Sequence, residues 1–425
     1  MNGPIHPAYQ IPFSPPDISE TEIEEVVNIL RSGWITTGPK VNEFERMLAE
    51  YIGCGISDTG TPRCVCLNSQ TAAGELSLRL LGIGPQEGGS AEDEVITCAY
   101  TYTATASVVA HIGAKLVLVD CQKDSYSIDY DALEKAITPH TKAVIPVELG
   151  GVPCDYDRIF EIVERKKSIF RPGNDLQKAL GRIAVVSDCA HAIGARALYG
   201  GQMRMAGNIA DFSNFSFHAV KNLTTSEGGA CTWKEIDGYD SDLIHRKLKL
   251  YCLHGQSKSA LEKSQQGKWE YDVIGTWYKS NMTDISAAIG VAQLRRYPDL
   301  LMRREAIVSR YDHSLLPVGI DVFPHKSDWY ISSKHLYLTR IPGITEADRN
   351  EIIRKLAERG ISSNVHYKPL PMHTAYRKMG FCIADYPNAF TRYANEITLP
   401  LHTKLTDDEV NYIIENYIGI TKDYL

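Results

Sequence analysis

The sequence contains no run of the ~18 or more apolar residues that a membrane-spanning helix needs, no block of lysine and arginine, no CxxC pair and no cysteine–histidine cluster at zinc spacing. Each absence removes a class of function. With no long apolar run, and an opening MNGPIHPAYQIPFSPPD that lacks the basic flank and apolar stretch of a secretory signal, a cytoplasmic location without a membrane partner is expected. A formal net charge of −7 and a pI near 6.0 offer no general attraction for nucleic acid, so no nucleic-acid partner is expected either. The ten cysteines are scattered, several of them (Cys64, Cys66, Cys98) inside apolar strand-like runs. They read as buried thiols, and no metal site is expected. No G-x-G-x-x-G turn follows the first strand-like run, which argues against a nicotinamide-dependent sugar dehydrogenase or epimerase. An internal repeat is also lacking.

What is present is an ordinary globular composition. The 425 residues, 44% of them hydrophobic, suffice for a sizeable core and, on length, for roughly two or three domains. From about residue 20 to 230 helical patterns alternate with short apolar runs, the signature of an α/β unit with a largely parallel sheet. Segment 19–32 has an acidic first turn and apolar residues at Ile23, Val26, Val27 and Leu30, as an amphipathic helix requires. Strands are predicted in the runs 63–69, 93–98, 115–120, 142–149 and 182–188; their continuous apolarity suits strands covered on both faces. The stretches 82–93 and 170–181 read as loops or insertions. Beyond residue 230 longer helical patterns take over, chiefly 282–316 with an interruption expected at Pro298. Strand-like 335–341 and helical 345–359 and 406–417 follow. The predicted division is a large domain over 1–300, N-terminal arm included, and a smaller α+β domain over 301–425.

The most informative stretches are SDCAHAIGA (187–195) and DFSNFSFHAVKNLTTSEGGA (211–230). They place a carboxylate, Asp188, at one strand end and a lysine, Lys221, just beyond another. In parallel α/β sheets the carboxyl ends of the strands form the ligand crevice, so both side chains can converge on one molecule. A pyridoxal cofactor needs such a pair: an amine to bond its aldehyde carbon, and a carboxylate that keeps the ring nitrogen protonated and the ring an electron sink. The plainer alternative makes Asp188 a helix cap and Lys221 an exposed turn lysine. Ser69, Gln70 and Thr71 stand where a strand gives way to a helix N-terminus, a place suited to phosphate; the plainer reading there is N-capping by Ser69 or Thr71. Gly228 and Gly229 suit close backbone approach to a ligand, with the short polar groups of Ser216 and Asn222 nearby. Tyr102, after the run at 93–98, either lays its ring on a flat cofactor or sits in the core.

Together the segments SGWITTGPKVNEFE (32–45), NSQTAA (68–73), AYTYTATA (99–106), GAKLVLVD (113–120), SDCAHAIGA (187–195), SFHAVKNLTTSEGGA (216–230), NMTDISAAIGVAQL (281–294) and VHYKPLP (365–371) resemble the DegT/DnrJ/EryC1/StrS sugar aminotransferases, within the fold type I pyridoxal-phosphate enzymes. The match runs in order over nearly the whole chain. It implies a large α/β domain and a smaller α+β domain, and pyridoxal 5′-phosphate as cofactor with pyridoxamine 5′-phosphate as the form between half-reactions. It also implies glutamate as donor and a nucleotide-linked keto sugar as acceptor, with a UDP-linked 4-keto-6-deoxy-hexose expected, in amino-sugar and surface-polysaccharide biosynthesis.

The resemblance further implies that Lys221 bonds the cofactor and shuttles the proton, that Asp188 pairs with the ring nitrogen, and that Tyr102 stacks on the ring. It puts His191 near the phenolic oxygen, and gives the phosphate to Ser216 and the Gln70–Thr71–Ala72 backbone. Relatives are typically homodimers with shared sites, in which the segment 277–282 would bring Lys279 and Asn281 across to the partner's phosphate or substrate. Trp34, Thr36 and Thr37, with His366 and Tyr367, occupy positions that line the sugar pocket in relatives. Gln70 stands where many relatives have glycine, and 82–93, 170–181 and 235–270 are longer than usual. A pyridoxamine-dependent dehydratase of the family carries histidine in place of the lysine, and a catalytically silent regulator has no need of Asp188 and Lys221; the presence of both residues argues against each.

Overall fold

The computed structural model describes residues 7–425 apart from 259, 265 and 268, so the first six residues of the expected N-terminal arm lie outside the described residues. Nine strands fall between residues 64 and 233: β1 (Cys64–Leu67), β2 (Glu94–Cys98), β3 (Lys115–Val119), β4 (Thr141–Ile145), β5 (Ala184–Asp188), β6 (Arg196–Tyr199), β7 (Gln202–Met205), β8 (Phe212–Ser216) and β9 (Gly229–Trp233). Seven form one sheet in the order β1-β9-β8-β5-β4-β2-β3. Strands β3, β2, β4, β5 and β8 are mutually parallel, whereas β9 runs antiparallel to both its neighbours. Every residue of β1, β2, β4, β5 and β9 is buried, as helices on both faces of a sheet require. The predicted run 142–149 stops as a strand at Ile145, because Pro146 has no N–H to give the ladder.

Local chemistry sets the helices. Ser19 caps the helix Glu20–Ser32 in a reciprocal box, its N–H donating to the Glu22 carboxylate at 2.7 Å. The stretch 170–181 is not simply a loop: it holds the helix Asp175–Leu180, started by Asn174, which accepts the Gln177 N–H at 2.8 Å, and ended by Gly181 at φ +65°. Asn174 and Gln177 side chains also donate to the Leu80 and Leu81 carbonyls, tying this insertion to the end of the helix Gln70–Leu80. In 82–93 the Asp93 carboxylate accepts the Gly84 and Ser90 N–H groups and folds the loop around a 3₁₀ turn, Pro85–Glu87. Pro298 interrupts nothing. The helix Asp284–Leu315 runs through it; a mid-helix proline forfeits one hydrogen bond, offset here by Leu294, Tyr297 and Leu300 packed into a buried cluster with Phe44 and Phe217. Nine cysteines are buried as expected, but Cys382 is exposed.

Past the long helix come β10 (Asp321–Val322), β11 (Tyr330–Ile331), β12 (Tyr337–Arg340) and β13 (Glu396–Leu399). Strands β10, β12 and β13 make an antiparallel sheet, while β11 joins the β6–β7 hairpin. Ile307, Tyr311, Leu356, Ile397 and Ile413 form an apolar cluster of their own here. The expected boundary at residue 300 falls inside the long helix, which serves both clusters. Among the described residues no helix is long and apolar enough to cross a membrane.

Candidate active site

Asp188 is the last residue of β5 and is 5% exposed. Lys221 lies in the turn after β8, its N–H donating to the His218 carbonyl at 2.9 Å, and is half-buried. No helix starts after Asp188, so the capping alternative has no object. Both residues line one pocket of about 340 Å³ together with Gln70, Tyr102, Glu148, His191 and Tyr367. A larger pocket of about 1380 Å³ contains neither residue. The smaller one is the candidate chemical centre, because it brings a buried carboxylate, an amine and an imidazole together. Burial pushes the Lys221 amine down to about 8, against the pull of the Asp188 carboxylate. Burial raises Asp188 in turn, opposed by the Thr105 hydroxyl at 2.6 Å, the Ala190 N–H at 3.1 Å, the Lys221 charge and the Gln70 amide.

His191 Nδ1 accepts the Gly150 N–H at 3.2 Å, so in the neutral ring the proton sits on Nε2, 3.2 Å from the Tyr367 hydroxyl. The ring is held neutral: burial, then Lys221 and His366, drive its pKa well below the usual histidine range. Tyr102 is no core residue. It is 59% exposed at the start of the helix Thr103–His111, with its ring 5.7 Å from that of Tyr367.

Ser69 does cap the helix Gln70–Leu80, its Oγ accepting the Ala72 N–H at 3.1 Å. That commits the Ala72 N–H, one of the expected phosphate donors, and leaves those of Gln70 and Thr71, which first-turn geometry deprives of intrahelical partners. Gly229 packs against this turn so closely that a Cβ on it would lie 2.3 Å from the Ser69 carbonyl carbon and 2.4 Å from the Gln70 nitrogen. Ser216, half-buried, is its partner across the sheet. Gly229→Ala is therefore expected to displace the turn and to weaken binding of pyridoxal 5′-phosphate to the apoprotein by about tenfold or more, roughly 1.4 kcal/mol. Equilibrium titration of the cofactor measures it; an unchanged Kd would show that the turn does not hold the phosphate.

Asn222, expected beside the cofactor, is held at both ends of its amide: its Nδ2 donates to the Ser333 carbonyl at 2.7 Å and its Oδ1 lies 2.9 Å from His335 Nδ1. Trp34, Thr36, Thr37, Lys279 and Asn281 gather apart from Lys221. The Lys279 amine reaches the Asn281 carbonyl oxygen, the Asn281 amide donates to the Thr37 hydroxyl, and Trp34 Nε1 donates to the Thr37 carbonyl at 3.2 Å. The Thr36 carbonyl accepts the Asp284 N–H at 3.2 Å. Thr36, Thr37 and Asn281 line the larger pocket, which shares no lining residue with that of Lys221. His366 stacks on Phe13, ring centroids 5.4 Å apart, with Nδ1 2.9 Å from the Thr398 hydroxyl. Sequence reasoning missed Thr105, Glu148, Ser333 and His335, which reach the site or its supports from three separate segments.

A mostly parallel sheet with a buried carboxylate and a depressed lysine at its carboxyl edge defines the class: a fold type I, pyridoxal-phosphate-dependent aminotransferase. The profile of the DegT/DnrJ/EryC1/StrS aminotransferase family matches residues 16–417, and the chain belongs to that family. It is 37% identical over 419 residues to the spore coat polysaccharide biosynthesis protein SpsC of Bacillus subtilis, covering 97% of each chain. Among solved structures it is similar to the candidate sugar aminotransferase Spr1654 of Streptococcus pneumoniae in its pyridoxamine-phosphate form (TM-score 0.91, 52% identity, 98% of this chain and 100% of that one); a pyridoxal-phosphate form of the same protein has also been solved. It is similar too to Helicobacter pylori PseC, an aminotransferase involved in pseudoaminic acid biosynthesis (TM-score 0.82, 26% identity, 98% and 100%). The residues present fit pyridoxal phosphate: an amine and a buried carboxylate in one pocket, the Gln70 and Thr71 N–H groups at a helix's first turn, and a glycine that gives the turn room.

Proposed function

We propose that this enzyme moves an amino group from glutamate to a nucleotide-linked keto sugar, with a UDP-linked 4-keto-6-deoxy-hexose as acceptor, and that it works as a cytoplasmic homodimer. The observation that carries this reading is the meeting of Lys221 and Asp188 in one pocket beneath an exposed Tyr102. The bound cofactor supplies an electron sink beside the carbon that gains or loses the amine. Lys221 would hold the cofactor through its amine and, once freed by the incoming amine, would carry a proton at the reacting carbon; an amine near 8 keeps a neutral fraction for that work at neutral pH. Asp188, fixed by Thr105 and the Ala190 N–H, would hold a proton on the ring nitrogen. His191 would offer its Nε2–H to the phenolic oxygen, Tyr102 would cover the ring, and the Gln70 and Thr71 N–H groups with the Ser216 hydroxyl would hold the phosphate.

Lys279 and Asn281 are read as reaching the partner's site, and Trp34, Thr36 and Thr37 with His366 and Tyr367 as lining the sugar pocket. The support for a second copy is apolar exposure beside the larger pocket: Ile274, which lines it, is 58% exposed, and Trp269 nearby in sequence is 76% exposed. The test is amination of a panel of nucleotide-linked 3-keto and 4-keto hexoses with glutamate, read by mass. A UDP-linked 4-keto-6-deoxy acceptor should gain the amine. Failure across the panel by enzyme that holds its cofactor and reacts with glutamate would overturn the acceptor assignment.

A further inference from the structure

The segment Ser333–His335 comes from the C-terminal part of the chain, yet it is bonded to both stretches that carry the chemistry. On the His191 side, the Ser333 hydroxyl donates to the His191 carbonyl, and the Ser333 N–H donates to the Gly151 carbonyl at 3.0 Å. The His335 N–H donates to the Gly150 carbonyl at 3.1 Å, the same Gly150 whose N–H fixes His191 Nδ1. On the lysine side, Asn222, the residue after Lys221, is gripped by the Ser333 carbonyl and by the His335 ring. The two imidazoles, His335 and His191, lie 4.3 Å apart at 40°. There is no slack at the junction: a Cβ on Gly151 would sit 2.0 Å from Ser333 Oγ and 2.8 Å from the His191 carbonyl oxygen. From behind, Arg304 of the long helix donates to the Lys334 and Leu401 carbonyls, each at 3.1 Å.

These contacts fix proton positions. Because Asn222 Nδ2 donates to Ser333, its Oδ1 is the end that faces His335, and an oxygen there can only accept. His335 Nδ1 therefore carries the proton, while His191 carries its own on Nε2. Two adjacent, mutually tilted rings of opposite tautomer result. The charged groups that face His335 are Lys221 and Arg304, with His191 and His366 alongside; burial, then these neighbours, hold the ring neutral.

We propose that His335 is a positioning residue for Lys221: its Nδ1–H, acting through the Asn222 amide, sets where the lysine amine stands, and its ring backs that of His191. This rests on Lys221 being the lysine that bonds the cofactor, which a Lys221→Ala holoenzyme tests independently by its colour. Two variants of the full chain separate the hydrogen bond from the packing. His335→Phe keeps a ring and loses the donor; His335→Asn keeps a donor near the Nδ1 position and loses the ring. With His335→Phe the midpoint of the pH titration of the visible band should move by about half a unit or more, and kcat should fall about 10- to 100-fold, as misplacement of a reacting group does, with KM for glutamate within about threefold. His335→Asn should restore the midpoint and most of kcat. Asn222→Ala removes the acceptor without touching His335, so it should reproduce the shift even if His335→Phe does not fold, and a foldable double variant should shift no further than either single one. A wild-type midpoint in His335→Phe or Asn222→Ala, equal behaviour of the Phe and Asn variants, or additive shifts would each overturn the proposal.

Discussion

Lys221→Ala should give a colourless protein whose amino transfer is at least about 10³-fold slower, since one substitution removes both the covalent anchor and the proton carrier. The unusual feature of this lysine is its pocket: burial brings the amine to about 8 from an ordinary value of 10.5. Between those two values the unfolded chain holds a proton that the folded one has released. Apoprotein stability should therefore rise as pH climbs from about 8 towards 10.5, with the destabilisation fully present below about 8. Lys221→Met, which removes the group, should flatten that rise, and apoprotein Tm against pH reads it. A Lys221→Ala enzyme that still transaminates at full rate, or one that stays yellow with a band that borohydride bleaches, would end the assignment of this lysine.

Asp188→Asn should come next in size. The change is nearly isosteric and leaves the Thr105 and Ala190 contacts something to bond, but it takes away the charge that holds a proton on the ring nitrogen. We expect kcat to fall by about 10²- to 10³-fold, comparable with removal of a preorganised electrostatic partner, while cofactor affinity weakens far less. Asp188 also pulls the Lys221 amine upward, so its neutralisation should move the amine of the apoprotein lower still. Wild-type kcat in Asp188→Asn would show that the carboxylate does not serve the ring.

These two residues were legible in the sequence because their signals are local. An unbroken apolar run ending in a carboxylate, and a lysine a few residues past another run, are strand-edge patterns that survive without knowledge of neighbours. Direction is not encoded that way, so the antiparallel course of β9 was not foreseen. The helix Asp175–Leu180 is too short and too polar to show periodicity; its cap, Asn174, was the available signal. Pro298 misled because a breaker is a local rule, and the buried residues around it belong to the tertiary fold. The partners of Asn222 were hidden for the same reason, since Ser333 and His335 lie 111 and 113 residues away. The pocket rim is a different case. Trp34, Thr36, Thr37, Lys279 and Asn281 took their roles from family resemblance, and in a single chain Thr36, Thr37 and Asn281 line another cavity.

The sulfur chemistry of the molecule follows from its packing. Nine thiols sit inside the fold, and burial pushes those of Cys54 and Cys231 up to about 12, so at physiological pH they present neither thiolate nor a path to one. An oxidant or alkylating agent in solution meets Cys382 alone on the intact surface. Tolerance to oxidative conditions is thus set by how seldom the chain opens: inactivation by thiol reagents becomes a clock for unfolding rather than a measure of cysteine reactivity.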